Sequence, residues 1–304
     1  MTDSVLCGLI GTGVLPSLTP PLHEEEGRRQ GLRYLYRIID LDALGLTVAD
    51  LPRLVRSARD LGFRGLNITH PCKQAVIDCL DELTPDAARL GAVNTVVFDD
   101  GRAVGHNTDW SGFGRAFDRE LADAPVRSVV QIGAGGAGAA VAYALLSRGV
   151  GHLALVDADA VRAQRLARTL VTVFPGAVID SRPLATLEAA LAGADGLVHA
   201  TPMGMAEHPG SAVPAAALRP DLWVAEVVYR PLRTELVRAA EAAGARTLNG
   251  GGMAVYQAVE AYRLFTGVEP DADRMRAHLL SLCAAEESDT AAFASSSADR
   301  TYRL

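Results

Sequence analysis

The stretch Val129-Val-Gln-Ile-Gly-Ala-Gly-Gly-Ala-Gly-Ala-Ala-Val-Ala-Tyr-Ala-Leu-Leu146 constrains this chain most. A short apolar run of strand type breaks at Gly133, Gly135 and Gly138 and continues as a small-residue helical segment. Strand, glycine turn, helix is the order of a dinucleotide fingerprint. Gly133 permits a tight turn, Gly135 lets backbone approach a pyrophosphate, and Gly138 lets the helix pack close to the strand. The N–H groups that open the helix then face the phosphates. A second apolar run, Leu153-Ala-Leu-Val156, ends at Asp157. That acid lies about 20 residues past the glycines, where a ribose-binding carboxylate belongs.

The 304 residues are enough for two domains. Hydrophobic residues make up 49% and charged residues 21%, as in a soluble globular protein. No apolar run approaches a membrane span, and the N-terminus reaches apolar sequence without a basic leader. A net charge of −7 argues against general binding to nucleic acid or anionic membranes. Cys7, Cys72, Cys79 and Cys283 form no Cys-x-x-Cys pair and are poorly spaced for a metal. They read as reduced thiols of a cytoplasmic protein. Cys72, beside the candidate site, is open to modification on this reading.

Residues 5–10 read as a buried strand, followed by Leu15-Pro-Ser-Leu-Thr-Pro-Pro-Leu-His23. Ser17 and Thr19 are hydroxyls held between prolines. They suit a carboxylate or polyol, or simple capping of a helix over 24–30. Residues 34–40 read as a strand and 48–61 as a helix. In Gly65-Leu-Asn-Ile-Thr-His-Pro-Cys-Lys73, a strand runs into a turn forced by Pro71. Asn67, Thr69 and Lys73 can converge there. A helix over 74–83, a short helix from Pro85, and a strand over 91–98 follow. Asn94 is a polar residue in that apolar strand, and Asp99-Asp-Gly101 makes a hairpin turn. Asp109 precedes a helix over 111–121, either as its cap or as a carboxylate partner of Lys73. His106 reads as structural.

Beyond the fingerprint, helices are expected over 162–173, 187–191 and 234–243, and strands over 196–200, 223–228 and 247–249. Thr201-Pro-Met-Gly204 lies at a strand's carboxyl end, where open α/β sheets bind ligands. Gly250-Gly-Gly252 reads as a flexible junction, followed by helices over 253–265 and 271–282. The Ala- and Ser-rich residues 284–304 read as a disordered tail.

Taken together, these stretches resemble the shikimate dehydrogenase family. The resemblance covers nearly all of residues 5–283. It rests on ordered blocks: Ser17-Leu-Thr-Pro20, Asn67-Ile-Thr-His-Pro-Cys-Lys73, Gly91-Ala-Val-Asn-Thr95, Asn107-Thr-Asp109 and Gly133–Gly138, with Thr201-Pro-Met-Gly204 and Gln257 as further matches. It implies two α/β domains with a cleft between them. Residues 1–109 form a substrate-binding domain, 110–249 a Rossmann domain, and 250–283 helices that return to the first. It also implies hydride transfer between a nicotinamide and a ring C3 hydroxyl of a cyclic carboxylate.

By this resemblance Ser17 and Thr19 hold the carboxylate. Asn67, Thr69, Asn94, Asp109 and Gln257 hold ring hydroxyls, with Tyr229 nearby. Lys73 and Asp109 form the catalytic pair. The cofactor side takes in Gly133, Gly135, Gly136, Ala137, Gly138, Asp157, Arg162, the loop Thr201, Pro202, Met203, Gly204 and Met205, and also Val227 and Gly250. In oxidation Lys73 must accept the hydroxyl proton. Burial would favour its neutral form and Asp109 its charged form.

The chain departs from the common family pattern at two places. Many biosynthetic members have Ser-x-Ser where this chain has Ser17-Leu-Thr19, which resembles the quinate/shikimate dehydrogenases of actinobacteria. Members that use NADP usually carry Asn-Arg-Thr after the second Rossmann strand, where this chain has Val156-Asp-Ala-Asp-Ala160. Asp157 accepts bonds from a free ribose 2′-OH and repels a 2′-phosphate. Arg162 resembles a residue on the adenosine side and allows weaker NADP use. The expectation is an NAD-preferring quinate/shikimate dehydrogenase, a monomer or homodimer without metal, running in the catabolic direction. The alternatives are a dehydrogenase restricted to shikimate, an aminoshikimate-type enzyme, and a non-catalytic nucleotide sensor.

Overall fold

The computed structural model describes the backbone of residues 4–300 and the side chains of residues 4–286 and 288. Two six-stranded sheets organise it. The first is built from β1 (Ser4–Gly11), α1 (Thr19–Arg29), β2 (Arg33–Asp40), α2 (Leu51–Asp60), β3 (Gly65–Ile68), β4 (Glu82–Leu83), α3 (Pro85–Leu90), β5 (Thr95–Asp99) and β6 (Arg102–His106). Its strand order is β2-β1-β3-β5-β6-β4. β1 runs parallel to β2 and β3, and β5 runs antiparallel to β3 and β6. The hairpin between β5 and β6 turns through Asp100 and Gly101, both at positive φ.

The helix α4 (Asp109–Glu120) leads into the second sheet. That sheet comprises β7 (Ser128–Ile132), α5 (Gly136–Ser147), β8 (His152–Val156), α6 (Ala160–Val173), β9 (Val178–Arg182), α7 (Leu187–Ala192), β10 (Gly196–His199), β11 (Trp223–Glu226), α8 (Glu235–Ala242) and β12 (Thr247–Leu248). All its strands are parallel, in the order β12-β11-β10-β7-β8-β9. The order reverses between β7 and β10, the switch point where doubly wound sheets take ligands. The central strands, buried on both faces, read as largely apolar runs. In β8, Leu153 to Val156 are all buried.

The chain closes with α9 (Gly250–Thr266) and α10 (Ala272–Arg300). α9 is buried on most of its surface and joins the two halves. Met253 and Tyr256 enter the core of the second sheet, while Ala261, Tyr262 and Phe265 enter that of the first. Val255, Ala258 and Val259 pack on Met275 and Leu279 of α10. Crossing between α4 and α9 depends on small residues. A Cβ at Gly112 would lie 2.6 Å from the Gln257 nitrogen, and one at Gly252 would lie 2.9 Å from the Ala116 methyl.

Four expectations need correction. Gly250 to Gly252 are not a flexible junction but the buried first turn of α9, capped by the Asn249 side chain on the Gly251 N–H. A Cβ at Gly250 would sit 2.2 Å from the Val227 carbonyl, so these glycines serve close approach. Residues 74–83 do not form one helix. A short 3₁₀ turn spans Ala75–Cys79, and Glu82 and Leu83 pair with Val104 and Gly105. That strand pairing overrides local helical spacing. The residues from Ala284 are not without structure, because α10 continues to Arg300. Alanine favours helix, and neither proline nor glycine interrupts 284–300; residues 301–304 lie outside the described residues. Cys72 is fully buried, which removes it as a site of modification. Besides β4, the strand β9 was not expected, since Val178-Ile-Asp-Ser-Arg182 shows no clear alternation.

His23 of α1 is fully buried among Tyr34, Tyr36, Tyr262 and Phe265. Its Nδ1 meets the Tyr34 hydroxyl at 3.0 Å, and its Nε2 has no hydrogen-bond partner among the described residues. Burial pushes the imidazole down to about 3. The unfolded chain binds a proton at the ordinary value of about 6.5. Between those limits the unfolded state holds more protons, so stability falls as pH drops, by about 1.4 kcal/mol per pH unit. Urea titrations between pH 7 and 4 should show this slope. His23→Gln should flatten it, leaving a shallower part from His106, which burial also lowers, and, near pH 4, from carboxyls held low such as Asp40. Separately, Gly250→Ala should destabilise the protein by about 1–3 kcal/mol in the same titration, because backbone must move to admit the methyl.

Candidate active site

Asp109 is the first residue of α4, and its carboxylate is almost fully buried. Oδ1 accepts a bond from the Asn94 amide at 2.8 Å, and Oδ2 accepts one from Lys73 Nζ at 2.5 Å. Asp109 therefore does not cap the helix with its side chain. Asn107 does the local work, its Oδ1 accepting the Asp109 and Trp110 N–H groups. Lys73 follows the turn at Pro71, and the Val93 N–H donates to the Lys73 carbonyl at 2.8 Å. The lysine side chain is 18% exposed, enough to reach a ligand while staying paired.

Asn94 is tied down on both ends. Its amide also donates to Thr108 Oγ1, and its Oδ1 accepts from the Thr108 N–H at 2.6 Å. Asn67 lies beside it. Its amide donates to Thr95 Oγ1 and the Asn94 carbonyl, and its Oδ1 accepts the Tyr36 hydroxyl at 2.7 Å. A buried polar network of this kind specifies one arrangement when all members are paired. Thr69 is held by its N–H on the Ile10 carbonyl, with its methyl against Gly11. Gln257 projects from α9 beside Gly112, one turn along α4 from Asp109.

Ser17 lies in the loop between β1 and α1 and Thr19 is the first residue of α1, with their hydroxyls 3.1 Å apart. Ser17 Oγ accepts the Thr19 N–H at 3.2 Å. The N-cap residue Leu18 offers no side-chain bond, so Ser17 serves the first N–H of α1, while the Thr19 hydroxyl plays no capping part. Leu18 between them packs in one cluster with Leu22, Val255 and Tyr229. The structure thus joins this loop to the segment after β11. Burial raises the Tyr229 hydroxyl above its ordinary value.

On the nucleotide side, Gly133 has φ +103°, and a Cβ there would lie 2.4 Å from the Ala200 carbonyl. A Cβ at Gly138 would lie 2.2 Å from the Gly133 carbonyl. Gln131 donates to the carbonyls of both Gly133 and Gly138 at 2.8 Å. Gly135 opens α5, no side chain caps it, and a Cβ there would meet open space. An uncapped glycine N-terminus beneath open space fits a phosphate. A Cβ at Gly136 would come within 3.8 Å of Lys73 Cδ, so the two halves of the site meet. Ala137 follows in the same first turn.

Asp157 ends β8. Its Oδ2 accepts the Ala134 N–H at 2.7 Å and its Oδ1 the Asp159 N–H at 2.8 Å. Arg162 lies 3.7 Å from Asp157 and 3.5 Å from Asp159, so its charge is already matched. The loop Thr201–Met205 follows β10, with Pro202, Gly204 and Met205 in tight turns and Met203 and Met205 exposed. Val227 donates its N–H to the His199 carbonyl and presents its own carbonyl to Gly250. Among the described residues, no group of three or more His, Cys, Asp or Glu is placed to hold a metal. No helix there is long and apolar enough to cross a membrane.

Sequence reasoning missed two organisers. Asp40, at the end of β2, accepts N–H groups from Gly13, Val14 and Leu15 at 3.3, 2.7 and 3.1 Å. It shapes the loop that carries Ser17. Burial pushes its carboxyl up, but these donors and Ala43 outweigh that and hold it below the ordinary range. An acid closing an apolar strand was the available signal, as at Asp157. Arg230 reaches from the segment after β11 to the Pro16 carbonyl at 2.7 Å and to Glu286 of α10 at 2.7 Å. Nothing in its local sequence indicates that span.

Residues 9–96 match the model of the shikimate dehydrogenase substrate binding domain, and residues 250–280 match that of the shikimate 5′-dehydrogenase C-terminal domain. A shikimate dehydrogenase (NADP(+)) of Streptomyces avermitilis is 61% identical over 280 residues, covering 92% of this chain and 96% of that protein. A quinate/shikimate dehydrogenase (NAD(+)) of Corynebacterium efficiens is 50% identical over 281 residues, covering 92% and 99%. The quinate dehydrogenase from Corynebacterium glutamicum, solved in complex with NAD, superposes with a TM-score of 0.88 at 51% identity, covering 92% of this chain and 99% of that one. With such identity along nearly its whole length, this chain belongs to the shikimate dehydrogenase family.

Proposed function

We propose that this protein is an NAD-preferring quinate/shikimate dehydrogenase. It interconverts quinate with 3-dehydroquinate and shikimate with 3-dehydroshikimate. Family membership makes it an oxidoreductase acting on a CH–OH group with NAD(P). The Lys73–Asp109 contact at 2.5 Å is the observation that carries the chemistry. A non-catalytic sensor would have no use for that buried pair.

When bound, the nicotinamide supplies the redox chemistry, taking or giving hydride at the ring carbon. The chain does the rest. Lys73 Nζ takes the proton of the C3 hydroxyl in oxidation and returns it in reduction. Asp109 aims Nζ through Oδ2 and is itself aimed by Asn94 through Oδ1. Ser17 and Thr19 hold the substrate carboxylate. Asn67, Thr69, Asn94 and Gln257 take ring hydroxyls, with Tyr229 closing the side toward α10. In this reading residues 1–109 bind substrate, 110–249 bind the nucleotide, and 250–283 complete the substrate half.

NAD preference rests on Asp157. Its carboxylate stands at the end of β8, where a ribose hydroxyl docks and a 2′-phosphate meets like charge. Arg162 is already matched by Asp157 and Asp159. A second reading, a shikimate dehydrogenase using NADP, is favoured by the 61% identical relative, which is a shikimate dehydrogenase (NADP(+)). The residues that bear on it are the half-exposed Arg162 and Thr19, whose methyl shapes the pocket differently from serine.

Initial rates with quinate and shikimate, each with NAD and NADP, distinguish the two. The expected result is turnover of both substrates, with kcat/KM for NAD at least about tenfold above NADP, a difference of about 1.4 kcal/mol. Turnover confined to shikimate with NADP would establish the second reading. Asp157→Asn keeps an acceptor for the Ala134 N–H but removes the charge. It should raise kcat/KM for NADP by about tenfold. Lys73→Met should lower kcat by about 10²–10⁴-fold while NAD binding, followed by calorimetry, stays within a few fold.

A further inference from the structure

β10 and β11 run parallel, and their register sets His199 opposite Glu226 at the carboxyl end of the sheet. Both side chains are almost completely buried. His199 Nδ1 meets Glu226 Oε1 at 2.9 Å, and His199 Nε2 meets Thr201 Oγ1 at 2.6 Å. The carboxylate also accepts the Val228 N–H at 3.0 Å and the Thr234 hydroxyl at 3.1 Å. Thr234 Oγ1 in turn accepts the Val237 N–H, capping α8. Thr201 Oγ1 accepts the Met203 N–H at 3.2 Å.

With a neutral imidazole, these bonds fit one tautomer. Glu226 is met by donors, so Nδ1 of His199 carries the hydrogen. Nε2 then offers a lone pair and accepts a hydrogen bond from the Thr201 hydroxyl. The Thr201 oxygen is left as the acceptor for Met203. A continuous chain of bonds thus runs from the N-terminus of α8 to the loop Thr201–Met205. Packing reinforces it. Gly204 has φ +98°, and a Cβ there would lie 3.2 Å from the Thr234 methyl. The Thr201 methyl lies 3.0 Å from where a Cβ of Gly133 would stand, so the loop also abuts the fingerprint turn.

We propose that His199, locked in one tautomer by Glu226, is a positioning residue that fixes the Thr201–Met205 loop against the reactive end of the bound nicotinamide. This rests on reading that loop as part of the nucleotide site. His199 touches neither substrate nor cofactor. It sets the distance and angle of hydride transfer through Thr201, and misplacement on the scale of 1 Å costs about 10²-fold in such steps.

His199→Asn is the informative variant. Its amide can still donate to Glu226, which leaves no buried carboxylate unpaired, but it is too short to reach Thr201. Thr201→Val removes the hydroxyl without touching the carboxylate, and serves if His199→Asn does not fold. Thr201→Ser keeps the hydroxyl. Both disrupting variants should lower kcat by about tenfold or more and raise the isotope effect on kcat for substrate deuterated at C3. KM for quinate should stay within about twofold, and Thr201→Ser, which restores the hydroxyl, should recover most of the turnover that Thr201→Val loses. Amide exchange across residues 201–205 should quicken at least about tenfold in the disrupting variants. Unchanged kcat, isotope effect and exchange in a folded variant would overturn the proposal. A wild-type protein inactive on both substrates would overturn the dehydrogenase reading instead. The exchange measurement needs no substrate and would still decide whether His199 holds the loop.

Discussion

The placement of one buried carboxylate governs the rest of this site. Asp109 has two oxygens, and each is claimed by a different part of the chain, Asn94 from the loop before β5 and Lys73 from the turn after β3. A carboxylate this deep is tolerated only when paired and hydrogen-bonded. Its partners therefore cannot drift without a large penalty. Because Asp109 also starts α4, the same constraint fixes where the chain leaves the first sheet and enters the second. Lys73 then reaches the fingerprint glycines, so the lysine and the glycine turn come into register together.

A second constraint is steric. The two sheets come together through helices that must approach closely, and the glycines at the crossing allow it. Gly112 and Gly252 let α4 and α9 touch, Gly250 lets α9 begin against the carbonyls after β11, and Gly133 and Gly138 bring α5 onto β7. None of these contacts is flexible. They are close backbone and side-chain approaches, and they bring Gln257 to within a helical turn of Asp109.

Polar chains buried beneath the binding loops do similar work at several points. Asp40 gathers the N–H groups of the loop before Ser17, Asp157 those of the fingerprint turn, and Glu226 with His199 the loop after β10. Each acid closes an apolar strand and takes donors from the neighbouring loop. The sheets carry this function at their carboxyl ends, where backbone runs free of the ladder and side chains must satisfy it.

Much of the fold was legible in residue order alone. The glycine fingerprint with Asp157, the alternation of strand and helix, and the ordered blocks around Lys73 and Asp109 identified the α/β architecture and the candidate site. These are local patterns, written in residue type and spacing. Other features were decided only by tertiary structure. The glycines at 250–252 look like a hinge in sequence, yet become a buried helix turn because a carbonyl lies 2.2 Å from the missing Cβ. Residues 82–83 leave the expected helix because β6 offers them a partner. His199 and Glu226 stand 27 residues apart, and each alone is an odd polar residue at a strand end. Only the parallel register of β10 and β11 makes them a pair, and pairing across a sheet depends on how distant segments align, which no local pattern records.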